Sequence, residues 1–294
     1  MSSVSVLGSG TVGTSVGIGL SKLGHKVIFY DTNERKVRSL RSRGFYATSC
    51  ISRAVKNSRI SLICVPTLTL QEEMDLHHVK AVTRKLGECL AKSRHYHVVV
   101  VKSTVLPGTT ENVVMPLLEK HSGLRVGREI GLCMNPEFMT EIHRSWTDED
   151  NFARGFLNEP VIVIGQFDKQ SGSSLEVLYR ELRFPVVHTN LKTAEMIKYA
   201  FNCALAGRIS YWNEIFYICR ALGIDASFVA RTAASDPRIG EYGTVLGKAF
   251  GGKCLPKDLR AFIRFSRQVG HDPKLLAAVQ DINLRIRAER GARE

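Results

Sequence analysis

The residues best suited by type and spacing to do chemistry lie between Phe250 and Asp258, which read Phe-Gly-Gly-Lys-Cys-Leu-Pro-Lys-Asp. The two glycines let the backbone turn sharply and come close to a ligand. Cys254 follows, flanked by Lys253 and Lys257, and Asp258 closes the run. Nearby positive charge favours a thiolate, the form in which cysteine acts as a nucleophile. The same pattern also suits a small buried cysteine at a helix start, with Pro256 in the first turn. Upstream, Lys198 and Asn202 are four residues apart and share one helix face, as do Glu195 and Lys198. Alone, such a face is merely solvated.

A second constellation stands at the N-terminus. A short apolar strand, Val4 to Leu7, runs into Gly8-Ser9-Gly10-Thr11-Val12-Gly13 and then a helix that ends near Leu23 at Gly24. In this pattern Gly8 makes the tight turn, Gly10 admits a pyrophosphate, and Gly13 lets helix and strand pack closely. The first helical residues, Thr11 and Val12 among them, offer their amides to phosphate. A second strand, Lys26 to Tyr30, ends at Asp31, 23 residues after Gly8. A carboxylate there accepts hydrogen bonds from the adenosine ribose and repels a 2′-phosphate, so the cofactor expected is NAD. Lys36, one helical turn on, either meets the same ribose or is solvated.

These groups need a scaffold, and the alternation of strands and helices supplies one. Strands are predicted at Ile60–Val65, Tyr96–Val101, Ile130–Met134, Val161–Gly165 and Pro185–His188, with helices near 77–91, 109–121 and 169–182. Alternation of this kind gives a Rossmann-type, doubly wound parallel sheet, whose ligands bind beyond the carboxyl ends of the strands. Those ends carry Gly8, Asp31, Pro66-Thr67, Ser103-Thr104 and Asn135-Pro136-Glu137. From Leu191 to Leu222 there is no proline, and one helix of that length would extend about 48 Å, enough to bridge two domains or two subunits. Helices near 226–233, 258–267 and 273–290 complete an all-α region.

Composition narrows the class. The 294 residues are 44% apolar and 23% charged, which is the make-up of a globular protein. No apolar run approaches the ~18 residues of a membrane span, and no signal-peptide pattern opens the chain. Seven scattered cysteines without a CxxC pair argue for a reducing, cytoplasmic setting and against disulfides or zinc. The net charge of +13 suits anionic ligands. Its basic residues are spread along the chain rather than clustered with aromatics, which disfavours nucleic acid.

Together the motifs GSGTVG at 8–13, KSTVLPGTT at 102–110, NPEF at 135–138, AEMIKYAFN at 194–202, NE at 213–214, DPRIG at 236–240 and FGGKCLPKD at 250–258 resemble the UDP-glucose/GDP-mannose dehydrogenase family. They occur in the family's order and span nearly the whole chain. The resemblance implies oxidation of a sugar-nucleotide C6 alcohol to a carboxylate in two NAD-dependent steps, without release of the aldehyde. It casts Cys254 as the nucleophile, Lys198 and Asn202 as oxyanion stabilisers, and Asp258 as the partner of Lys198 in proton removal through a water. Glu141 and Thr104 match positions linked to hydrolysis. The cofactor set extends to Pro66, Thr67, Ser103 and Thr104. On the substrate side it implies Glu137, Phe138, Gly251 and Arg238, with Arg238 reaching a partner subunit's substrate in a homodimer built around the long helix. The domains implied are 1–190 for NAD and 191–294 for the helical central part, with the family's third, C-terminal domain absent. Two rival readings suit the same residues. One is a two-domain hydroxyacid dehydrogenase, which also pairs a Rossmann domain with a helical one. The other is a catalytically silent NAD-binding relic.

Overall fold

The computed structural model describes residues 1–70, 73–93, 95–140, 155–252 and 254–291. In chain order its elements are β1 (Ser3–Leu7), α1 (Thr11–Lys22), β2 (Lys26–Tyr30), α2 (Glu34–Ser42), β3 (Tyr46–Thr48), α3 (Ile51–Lys56) and β4 (Ile60–Ile63). The two-residue strands β5 (Thr69–Leu70) and β6 (Glu73–Met74) precede α4 (His77–Leu90), β7 (His97–Val101), α5 (Met115–Ser122) and β8 (Ile130–Met134). Then come β9 (Ile162–Gln166), α6 (Lys169–Glu176), β10 (Val186–Thr189), α7 (Leu191–Leu222), α8 (Ala226–Ala234), α9 (Leu255–Gln268) and α10 (Lys274–Gly291). Two compact units result. The first holds Met1–Leu68, Met74–Met139 and the described chain from residue 155 to Lys198; the second holds the described chain from Tyr199 on, with Thr69, Leu70, Glu73 and Thr140.

The first unit is built on an eight-stranded sheet in the order β10-β9-β8-β7-β4-β1-β2-β3. Its central strands β7, whose His97 is followed by four valines, and β8, Ile-Gly-Leu-Cys-Met, are buried along their whole length. Helices cover such strands on both faces, and parallel sheets require that cover. The pairings are parallel except β8 with β9, which run antiparallel at Cys133–Gln166 and Met134–Gly165. The expected doubly wound α/β fold is therefore present, with one reversed pairing in its outer half. α1 lies close on the sheet because Gly17 lacks a side chain: a Cβ there would sit 2.2 Å from the Phe29 ring.

The second unit is helical. α7 runs the full predicted length of 32 residues and stops where Gly223 turns the chain with φ +67°. Along it Ala206, Ile209 and Trp212 are buried, and Tyr199 stacks on Phe262 of α9 at 4.9 Å between ring centroids. α8 is capped by the Asp225 carboxylate, which accepts from the amides of Ser227 and Phe228. α9 begins three residues earlier than predicted, because Pro256 fits its first turn, where no intrahelical donor is needed. Among the described residues no helix is long and apolar enough to cross a membrane.

Candidate active site

The glycine turn has the geometry of a dinucleotide cradle. Gly8 takes φ +105°, its amide donates to Tyr30 O at 2.8 Å, and an added Cβ would lie 2.5 Å from Cys64 O. A Cβ on Gly13 would fall 2.0 Å from Gly8 O, so helix and turn touch backbone to backbone. Gly10 is different: a Cβ there would meet nothing within 4 Å. Gly10 is also the N-cap of α1, and having no side chain it leaves the first amides of the helix without a side-chain cap. Free amides with the positive end of a helix dipole fit a pyrophosphate.

Asp31 lies at the mouth of this turn. Its carboxylate accepts from the Ser9 amide at 2.8 Å, the Asn33 amide at 2.9 Å and Lys36 Nζ at 3.3 Å. Three donors hold the acid in one orientation beside the cradle. Lys36 is thus the ion-pair partner of Asp31, and its side chain is nearly half exposed.

The ends of β4 and β7 are tied together. Thr67 Oγ1 donates to Thr104 O at 2.7 Å, and Ser103 Oγ donates to Val65 O at 2.7 Å. Pro66 stands exposed between them, while Thr67 and Ser103 are buried. Glu195 of α7 closes the same region: its carboxylate accepts from the Gly108 and Thr110 amides, where the next helical segment starts. Burial pushes the Glu195 carboxyl up, against the pull of those donors.

Beside this edge lies a buried group of charges. Lys198 Nζ pairs with Glu137 Oε1 at 3.1 Å, donates to Glu137 O, and lies 5.4 Å from the centre of the Phe138 ring. Burial alone would raise the Glu137 carboxyl. The charge and hydrogen bond of Lys198, the Met139 amide and the charge of Lys102 outweigh it and hold the carboxyl below its ordinary value. Lys102 itself is 2% exposed and donates to Asn135 Oδ1 at 2.9 Å and to the carbonyls of Asn135 and Pro136 at 3.3 Å. Lys102 and Glu195 both lie inside the family-like motifs, which by themselves assign neither a role. Only the fold shows that each ties a site loop in place.

In the second unit, Asn202 Nδ2 donates to Asp258 Oδ2 at 2.7 Å, and Lys257 pairs with Asp258 Oδ1. The Lys257 ammonium is therefore paired with the acid. Cys254 is the N-cap of α9 and is exposed, as is Cys50 in the first unit. The thiols of Cys64, Cys133 and Cys203, by contrast, are pushed up to about 12, chiefly by burial. Gly251 is half-buried beside Cys254. Arg238 is exposed and held by Asp236, with Nη2 2.6 Å from Oδ2. Lys253 and Glu141, two of the residues singled out in the sequence, lie outside the described residues.

A Rossmann-type sheet with a glycine turn and an acid at the end of its second strand, joined by a long helix to a helical unit, defines the class of NAD-dependent oxidoreductases. Residues 40–183 match the model of the NAD binding domain of the UDP-glucose/GDP-mannose dehydrogenase family, and residues 192–285 match its central domain. The chain belongs to this family. GDP-mannose 6-dehydrogenase of Pseudomonas aeruginosa is 34% identical across 95% of this chain and 68% of its own length. UDP-glucose 6-dehydrogenase TuaD of Bacillus subtilis is 34% identical across 96% of this chain and 63% of its own. The structure of a UDP-glucose dehydrogenase from Pyrobaculum islandicum superposes with a TM-score of 0.86 at 32% identity, covering 96% of this chain and 68% of that one. The chain thus spans about two thirds of the length of the relatives it matches.

Proposed function

We propose that the chain oxidises the C6 alcohol of a nucleotide sugar, of the GDP-mannose or UDP-glucose class, to the carboxylate through a thiohemiacetal and a thioester on Cys254. The observation that carries this reading is the 2.7 Å bond between Asn202 and Asp258, made by the helix whose N-cap is Cys254. It gathers a nucleophile, a carboxamide and an acid in one unit, in a chain of this family.

Gly8, Gly10, Thr11, Val12, Gly13, Asp31, Lys36, Pro66, Thr67, Ser103 and Thr104 would hold the cofactor. NAD, when bound, supplies the hydride acceptor for both oxidations. The chain's own residues do the rest. The Cys254 thiolate adds to the aldehyde carbon, and Lys198 and Asn202, one turn apart on α7, stabilise the negative oxygen by charge and by hydrogen bond. Asp258 works with Lys198 through a water to take the proton of the C6 alcohol. Loss of the second hydride leaves an acyl group on sulfur, and water, placed and activated by Glu141 and Thr104, releases it as the acid. Glu137, Phe138, Gly251 and Arg238 serve the substrate side.

The working assembly is a homodimer through α7. Tyr211, Ile218 and Leu222 recur on that helix at spacings of seven and four, and all are more than half exposed. An apolar stripe of this kind suits a helix partner. The domains proposed are 1–190 for NAD and 191–294 for the helical part.

The test counts NADH per sugar nucleotide across a panel of GDP- and UDP-sugars. Two per substrate, with Cys254→Ala stalling at the aldehyde stage, is the expected result. One per substrate, unchanged in Cys254→Ala, overturns the reading.

A further inference from the structure

The run from Lys248 to Asp258 is pinned at three points by three buried carboxamides. Asn213 Nδ2 donates to Lys248 O at 2.9 Å. Asn283 Oδ1 accepts from the Phe250 amide at 2.7 Å, and its Nδ2 donates to Phe250 O at 3.1 Å. Asn202 Nδ2 holds Asp258 at the far end. All three asparagines are at most 5% exposed. Asn202 and Asn213 are eleven residues apart on α7, three turns, so they share one face with about 16 Å between them. The run travels back along that face: Lys248 meets the later asparagine and Asp258 the earlier one.

Asn283 comes from α10 and does something the other two do not. It satisfies both polar groups of a single residue, as the next strand of a sheet would. The Phe250 ring is 1% exposed, so that residue is fixed by packing as well as by bonding. Beyond it the chain loosens. Gly251 is half-buried, Gly252 is exposed with φ +74°, and Cys254 is exposed. A buried amide matched on both sides is expensive to break, whereas two glycines in sequence resist little.

We propose that Asn283 is a positioning residue for the Cys254 thiol. It fixes where the glycine loop starts, as Asn202 fixes where it ends, so the sulfur four residues on is presented at one place. The inference rests on Cys254 being the nucleophile. It adds a residue that touches neither substrate nor cofactor.

Asn283→Asp tests it. The ionised side chain still accepts from the Phe250 amide but cannot donate to its carbonyl, whereas the protonated acid can do both. Two rates are measured from pH 6 to pH 9: alkylation of Cys254 by iodoacetamide, read by mass spectrometry, and turnover. At pH 8 both fall by on the order of tenfold or more in the variant, since small misplacements of reacting groups are costly. The dissociation constant for NAD stays at its wild-type value. The ratio of variant to wild type rises as pH falls, because a buried carboxyl takes up its proton early. A ratio near one, or a deficit that does not change with pH, overturns the proposal. If the variant does not fold, hydrogen exchange in the wild-type protein decides: a Phe250 amide protected like the core of α9 supports the clamp, and one exchanging as fast as Gly252 overturns it. Cys254→Ser separates the two levels. Undiminished turnover in that variant sinks the functional reading and this inference together, while Cys254-dependent turnover with a silent Asn283→Asp sinks the inference alone.

Discussion

The carboxamide of Asn202 donates to one oxygen of Asp258 at 2.7 Å while the Lys257 ammonium pairs with the other. Asp258 is 1% exposed, so its charge is stabilised by these two groups rather than by water. Each partner also depends on the acid, since a buried donor without an acceptor is costly. The arrangement fixes the Asn202 amide group in place.

Asp258→Ala is expected to lower stability by about 2 kcal/mol, the cost of a buried donor and a half-buried ammonium losing their acceptor. Urea unfolding would show this as a lower midpoint at unchanged slope. NAD affinity should stay as it is, because the cradle lies in the other unit. Turnover should fall by on the order of a hundredfold if the acid takes part in proton transfer. A variant that is as stable and as active as wild type would remove Asp258 from both roles.

Lys198→Met tests the Lys198–Glu137 pair. The pair is buried, and removing one partner of such a pair costs about 3 kcal/mol, since the remaining charge is left uncompensated. The pH dependence gives the sign. Glu137 is held below its ordinary value when folded. Its pairing therefore adds stability above the unfolded carboxylate value, near ~4.3, and loses it as pH falls through the folded value. In the variant this contribution is already gone. The stability gap between wild type and variant should be widest near pH 7 and narrow below about pH 5. Denaturant titrations across that range measure it.

Gly10→Ala and Gly13→Ala should separate cofactor binding from folding. A Cβ at Gly13 lands 2.0 Å from Gly8 O, and backbone cannot yield there, so that variant should fold poorly or lose the turn. A Cβ at Gly10 has free space, so thermal stability should be unchanged or slightly raised. The methyl group nevertheless enters the space expected to receive the pyrophosphate. NADH titration should therefore show weaker binding in Gly10→Ala with no change in melting temperature. Equal affinity in that variant would mean that phosphate does not approach the backbone at Gly10.

The parts of this fold that were legible in the sequence are those where geometry dictates residue type. The β1–α1–β2 segment could be read because only glycine fits at 8 and 13. The long helix could be read because no proline interrupts Leu191–Leu222. α2 was missed because it is a mostly charged stretch that buries only Val37 and Leu40. β3 was missed because a three-residue edge strand is too short to show alternation. The reversal between β8 and β9 leaves no trace in composition, since a fully buried strand is apolar whichever way it runs. At the site, cysteine, lysine and asparagine were visible as motifs. Glu195 and Asn213 were visible in motifs but their anchoring roles were not, and Asn283 lies in no motif, because a residue's partner 33 or 87 positions away is decided by packing rather than by local pattern.

The sheet also carries a polar chain that no motif announced, and it sets an expectation for acid stability. Ser58 Oγ donates to Ser5 Oγ at 3.1 Å, Ser5 and Ser61 share a hydrogen bond of 2.7 Å, and Ser61 Oγ lies 2.8 Å from His97 Nε2. All four side chains are buried. Burial first, and the charge of Arg59 second, push the His97 imidazole down to about 4. The folded state therefore keeps this ring neutral, while the unfolded chain takes up a proton near ~6.5. The group's contribution is fully present above that value and is lost as pH falls toward 4, a loss of about 3 kcal/mol by linkage. His97→Gln retains a side chain able to bond Ser61 and has nothing to protonate. Its stability should fall much less steeply between pH 6.5 and 4, while at pH 8 it should lie within about 1.5 kcal/mol of wild type, the range for a single exchanged hydrogen bond. Parallel curves for the two proteins would mean that the acid sensitivity arises elsewhere, with the buried carboxylates as the remaining source.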